Sequence, residues 1–256
     1  VTWCRYICQT TNTYDAQKRF WVRLVFETTT PETQVENGIQ GLDRGLYHLV
    51  STSDGQFLSG NKVRAVQRRY LHNRKKLQQK GTLCAKRRLK AMSGREKRFM
   101  RDKNHCLSKQ LARQHPKGAS CGAPQFTTFV LEDLSGIRAK RRGKKLNKWL
   151  SSWTFHQFEM FLGYKAETLG KRVVFVDPRY TSQKCNRCSH TAKANRCKSR
   201  FHCKACNFKT HADTNASMNI RDNYIISSAF GSGEQGTVNC PHVSEIASRD
   251  KPLALC

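Results

Sequence analysis

Along this chain the spacing of apolar residues changes repeatedly, and each change marks an element. The stretch DAQKRFWVRLVFE alternates aromatic or aliphatic with polar residues, the period of a half-exposed strand, and TTTPETQVENG behind it reads as a linker containing Pro31 and Gly38. In IQGLDRGLYHLVSTSDGQFLSG two apolar segments flank an Asp54-Gly55 turn of the hairpin type. Val63, Val66, Tyr70 and Leu77 then recur at helical spacing. Ser93 and Glu96 read as a capping box that opens a second helix through Phe99, Met100, Cys106, Leu107 and Leu111, so two antiparallel helices are predicted. FTTFVLEDL reads as a buried strand stopped by Glu132 and Asp133. WTFHQFEMFLGYKAETLG sets Phe155, Phe158, Phe161 and Leu162 on one helical face and ends at Gly170. KRVVFVDP is another short buried strand, and HADTNASMNIRDNYI a last helix. From Ser227 to Cys256 the chain carries Gly, Ser and Pro without periodicity.

Charge narrows the partners. The 256 residues carry a formal net charge of +29, which points to a polyanion, nucleic acid first. Residues 61 to 117 hold 20 Lys/Arg against only Glu96 and Asp102, and RAKRRGKKLNK forms another basic loop. The bland alternative is a pair of solvated helices whose charge aids solubility. A membrane is disfavoured, because no apolar run approaches the roughly 20 residues of a spanning helix, and VTWCRYICQT lacks the apolar block of a secretory signal. A cytoplasmic protein is expected. Twelve cysteines, eight of them scattered outside two CxxC pairs, fit a reduced compartment better than a disulfide framework. The first residue, Val1, leaves open an alternative start or a missing upstream segment.

Two groups of residues carry chemistry. Cys185 and Cys188, then Cys203 and Cys206, form two CxxC turns, each able to offer two thiolates to one ion; together they make a closed tetrahedral S4 set of the structural zinc kind. Redox pairs or disulfides are the alternatives, and Cys197 belongs to neither turn. Acidic residues are scarce, so those at element ends are informative: Asp43 in GLDRG with Gly45 allowing close approach, Glu132 closing FTTFVLE, and Asp213 opening the last helix. Three carboxylates from separate segments are what a divalent-metal site for phosphodiester cleavage requires. Singly, Asp43 reads equally as a turn residue, Glu132 as a surface carboxylate and Asp213 as a helix N-cap. Asp177 and Arg179 are candidates for substrate contact or for simple turn duty, and Asp133 and Asp222 have weaker claims.

The order of GLDRG, VLEDL, YKAETLG, VDPRYTSQKCNRCS and FHCKACNFKTHADTNASMNI, from about Gly38 to Asn223, resembles TnpB-type proteins, transposon-encoded RNA-guided nucleases related to type V CRISPR effectors. The resemblance implies an α/β fold: an RNase H-like (RuvC-like) mixed sheet with flanking helices and an inserted Cys4 zinc ribbon. It places a catalytic, magnesium-binding Asp, Glu, Asp triad on Asp43, Glu132 and Asp213, and structural zinc on Cys185, Cys188, Cys203 and Cys206. It implies a mobile-element endonuclease that hydrolyses DNA by two-metal-ion catalysis, with DNA and guide RNA as partners. The expected layout is a wedge-like remnant and linker over 1–36, the nuclease domain over 37–182 with basic helices at 61–117, the ribbon at 183–210, the last nuclease helix at 211–226 and an irregular tail at 227–256. Fewer than 40 residues precede the nuclease domain, so an N-terminally truncated nucleic-acid binder without catalysis is the other expectation. Ser189 stands where the family usually has Gly, and Gly41-Leu42 where Gly-Ile is common.

Overall fold

The computed structural model describes residues 7–14, 20–26, 31–32, 38–114, 126–134 and 155–229. Strands β1 (Ile7–Tyr14) and β2 (Phe20–Phe26) pair antiparallel as a two-stranded sheet. The strand expected in FWVRLVFE is therefore present, with a partner that alternation alone does not reveal. The basic loop RAKRRGKKLNK and the chain from 230 onward lie outside the described residues, as does most of the expected linker.

The central sheet has five strands: β3 (Ile39–Asp43), β4 (His48–Thr52), β5 (Phe57–Ser59), β6 (Thr128–Glu132) and β7 (Arg172–Val176). Their order is β5-β4-β3-β6-β7. β4 runs antiparallel to both β3 and β5, and β6 and β7 continue parallel to β3. The segment expected to hold two apolar stretches about one turn is thus three strands. Asp54-Gly55 makes the β4–β5 turn, with Gly55 at φ 72°, and Arg44 to Tyr47 make another. β6 is buried on both faces, the signature of a central parallel strand. β7, expected to be buried, is a half-buried edge strand.

Helices cover both faces. α1 (Asn61–Lys80) and α2 (Leu83–Ala112) form the basic hairpin, turning at Gly81 with φ 65°. The capping box expected at Ser93 is absent there: α2 starts ten residues earlier, where the Thr82 side chain accepts the Ala85 N–H, and Ser93 lies mid-helix. Only a few positions of the hairpin are buried, among them Val63, Gln67, Met100, Asn104, Ser108 and Leu111 near the sheet. α2 spans about 45 Å at 1.5 Å per residue, and its first half extends past the core with an Arg74–Glu96 ion pair across the hairpin. α3 (Phe155–Glu167) packs Phe158, Leu162 and Ala166 with Leu111 of α2 against Leu42, Phe129 and Leu131.

The opposite face belongs to α4 (Ala212–Ala229), which sets Ile220 and Tyr224 on Val130. It continues three residues beyond the boundary expected at 226. Gly41 explains how close it comes, since a Cβ there would sit 2.0 Å from the Ser217 carbonyl oxygen. Only a residue without a side chain lets α4 lie directly on β3. Between β7 and α4 sits a small three-stranded sheet of β8 (Arg196–Cys197), β9 (Arg200–His202) and β10 (Lys209–His211).

Candidate active site and four-cysteine cluster

Strand register decides where the carboxylates go. Gly41 pairs with Val130 and Leu42 with Leu131, so Asp43 and Glu132 are the next residues on adjacent parallel strands. Alternation puts Leu42 and Leu131 toward α2 and α3, and Gly41, Val130, Asp43 and Glu132 toward α4. Asp213 lies in the first turn of α4, one turn before the Ser217 carbonyl that touches Gly41. Two strand ends and one helix start thus deliver three carboxylates to one side of the sheet.

Their mutual influence is visible in protonation. Burial, then the charges of Glu132 and Asp213, push the Asp43 carboxyl up to about 8, while Arg196 and Arg44 oppose the rise. Burial also raises Glu132, against the Thr181 hydroxyl that donates to its Oε1. Asp43 therefore keeps its proton at neutral pH in the absence of an ion, and a divalent cation, whose charge would offset the repulsion among the carboxylates, would favour its ionised form. Glu132 is therefore not a freely solvated strand-end carboxylate.

Two arginines with no signal in the sequence frame this group. Arg44, side chain 1% exposed, pairs with Glu159 of α3 and donates to the Glu132 carbonyl, tying the ends of β3, β6 and α3 together. Arg196 on β8 reaches Asp213 Oδ1 at 3.1 Å. Nothing marks either residue, because 47 Lys/Arg hide two that point inward. Asp177 is exposed and accepts the Arg179 backbone N–H at 2.9 Å, which is turn duty. Asp133 donates its N–H to the Val176 carbonyl, and Asp222 accepts from the Asn186 side chain.

The sulfurs of Cys185, Cys188, Cys203 and Cys206 lie within 4.8 Å of one another, with Cys185–Cys206 at 3.7 Å and Cys188–Cys203 at 3.5 Å. Tetrahedral zinc at about 2.3 Å from each sulfur separates them by roughly 3.8 Å, so the set is compatible with zinc. The N–H groups of Ser189 and Asn207 bond back to the Cys185 and Cys203 carbonyls, and both residues adopt left-handed φ, 61° and 56°. That conformation is the one a Gly at position 189 would adopt without strain. The backbone N–H of Cys206 foremost draws the Cys203 thiol down to about 6. Cys197 is exposed and outside the set.

Buried asparagines fasten this cluster to α4. Asn215 accepts the Asn186 N–H and donates to the Lys184 carbonyl, and Asn219, one turn on, donates to the Thr181 and Lys184 carbonyls. Asn195 joins the two cysteine turns, donating to the His190 carbonyl and accepting from the Lys204 N–H. By sequence alone these are ordinary polar helix and loop residues. A further tight group, His48, His211 and Asp213, is equally unmarked in the sequence.

Sheet order, a helix crossing the first parallel strand, and a cysteine cluster inserted before that helix define a RuvC-like domain of the RNase H fold. A Cas12f1 chain solved with sgRNA and target DNA superposes with a TM-score of 0.57 at 17% identity, covering 84% of this chain and 65% of that one. Residues 155–220 match the Cas12f1-like TNB domain family. The chain is 29% identical to the CRISPR-associated endodeoxyribonuclease Cas12f1 of Sulfoacidibacillus thermotolerans, covering 81% of this chain and 51% of that protein. It is 28% identical to a TnpB-like protein of Methanocaldococcus jannaschii, covering 62% and 56%. In sequence the chain is similar to these Cas12f1 and TnpB-like proteins, and it spans about half their length. Among the described residues no helix is long and apolar enough to cross a membrane.

Proposed function

We propose that this chain is the nuclease portion of a TnpB-type, RNA-guided DNA endonuclease of a mobile element. The observation that supports this most is the register that puts Asp43 beside Glu132 and turns both toward Asp213, with Asp43 held near 8 by burial and by the other two charges.

Asp43, Glu132 and Asp213 would hold Mg2+ through carboxylate oxygens, and Cys185, Cys188, Cys203 and Cys206 would hold structural zinc. When bound, a pair of Mg2+ ions lowers the pKa of an attacking water and stabilises the departing oxygen of the phosphodiester. The protein's own contribution is placement. Thr181 orients Glu132, Arg196 holds one oxygen of Asp213, and Arg44 fixes the Glu132 backbone. Residues 183–210 act as a ribbon clamped to α4 through Asn215 and Asn219, so the cysteine cluster sets where Asp213 stands. The exposed basic length of α1 and α2 supplies the phosphate-binding surface for DNA and guide RNA.

The test is cleavage of labelled single-stranded and duplex DNA with Mg2+, with and without guide RNA. Wild type is expected to cut, with Glu132→Gln losing cleavage and keeping binding. Salt-sensitive binding with no cleavage in any arm would instead establish the non-catalytic nucleic-acid binder.

A further inference from the structure

The group His48, His211 and Asp213 brings one ligand atom from each residue to within 4.8 Å of the others. His211 and Asp213 lie two residues apart across the β10–α4 junction, and His48 joins them from β4, far away in sequence.

The placement of His48 is specific. Register shifts between His48 and Val50 against β5, a β-bulge at Leu49. The extra residue leaves both Leu49 and Val50 in apolar clusters on the side of α2 and α3. His48 is thereby turned the other way, to where its ring meets His211 at 5.4 Å between centroids. Bulges beside functional sites re-aim side chains in this manner. Phe57 packs against both imidazoles, at 4.6 and 4.7 Å, and fixes their orientation.

One of the donor atoms is open to a ligand. His48 Nδ1 is buried and has no hydrogen-bond partner, a state that is costly for a polar atom. His211 Nδ1 accepts the Asp213 backbone N–H at 3.3 Å, a long bond that an ion at that nitrogen would replace. Asp213 gives Oδ1 to Arg196 and turns Oδ2 toward His211 Nδ1, 3.9 Å away. Bonds of about 2.0–2.2 Å from an ion to nitrogen and oxygen can bridge that gap.

We propose that His48, His211 and Asp213 form a third metal site, distinct in chemistry from the thiolate set and from the oxygen-rich carboxylates. Two imidazoles and one carboxylate with an open fourth position select a borderline ion such as Zn2+ over Mg2+. Because Asp213 belongs to both groups, an ion held by the histidines competes for this carboxylate with one held by Asp43 and Glu132. On the reading of the chain as a Mg2+-dependent nuclease, the site is a built-in point of inhibition by transition metal.

The binding claim is separable from activity. Chain carrying zinc on its four cysteines is titrated with Co2+, and the visible ligand-field absorption of a four-coordinate, nitrogen-bearing ion is followed. Wild type is expected to take up one further equivalent with that spectrum, and His48→Ala and His211→Ala each to weaken uptake roughly tenfold or more. His48→Gln, which keeps a side chain of similar reach, guards against loss of fold, and retained zinc and thermal unfolding verify each variant. A wild-type chain that shows no such absorption, or variants that match it, overturns the proposal. Inhibition of Mg2+-dependent cleavage by micromolar Zn2+, relieved by His48→Ala, would extend it to function. Failure of cleavage altogether would leave the Co2+ result standing.

Discussion

Asp43 gives the sharpest expectation for a single side chain. Its carboxyl titrates near the ordinary 3.8 when unfolded and at about 8 when folded, so between those values the folded state binds the extra proton. Stability is then fully present below about pH 4, falls as pH rises toward 8, and levels off above it. Metal-free chain should lose thermal stability from pH 5 to pH 8, and Asp43→Asn should flatten this slope and raise Tm at pH 8 by a few degrees. An unchanged slope would mean that Asp43 is solvated. Gly41 is the second such residue: Gly41→Ala drives a methyl group into the Ser217 carbonyl, at 2.0 Å, and should cost about 1–3 kcal/mol or push α4 off β3. Urea unfolding measures the first outcome. Asp43 stands out in the sequence as an acid at the end of an apolar run, whereas close approach, expected at Gly45, is tightest at Gly41, which only the packing of α4 on β3 reveals. Arg44 and Arg196 do not stand out, because a buried arginine and a solvated one are the same letter.

At the scale of elements, the cysteine cluster and α4 behave as one body. Cys185, Cys203 and Phe201 pack on Ala212, and the asparagine clamps continue the contact along the helix. Chelating the zinc proposed at the four cysteines should therefore reduce protection of the first turns of α4 as well as of residues 183–210, readable by hydrogen exchange at Asp213 to Asn219. Protection that falls only within the ribbon would show the clamp to be weak. Ser189, held at φ 61°, should gain about 1 kcal/mol when replaced by Gly, with zinc retained. CxxC spacing makes the cluster legible from sequence, and periodicity gives the central strand β6 and the helices α3 and α4. The start of α2 is hidden because Thr82 carries no acidic partner three residues on, whereas Ser93 with Glu96 imitates a cap inside a continuous helix. Three strands pass for two because the short Arg44–Tyr47 turn has one Gly and no Pro or Asn.

The whole molecule carries +29, and much of the exposed charge lies on the α1–α2 hairpin, whose outer half is mostly exposed. Replacing Arg68, Arg69, Lys75 and Lys76 with Gln should weaken single-stranded DNA binding and reduce the slope of log K against log salt by roughly 0.7 for each phosphate no longer neutralised. An unaltered slope would place the nucleic acid elsewhere. The RNase H-like architecture is legible as motif order, while the proposed convergence of the carboxylates is not, since it depends on strand register and on which face α4 covers. That convergence is tested most directly by calorimetric titration of zinc-loaded chain with Mn2+. Asp43→Asn, Glu132→Gln and Asp213→Asn should each, alone, weaken uptake about tenfold or more. Uptake that depends on only one of the three, or on none, would contradict a shared site.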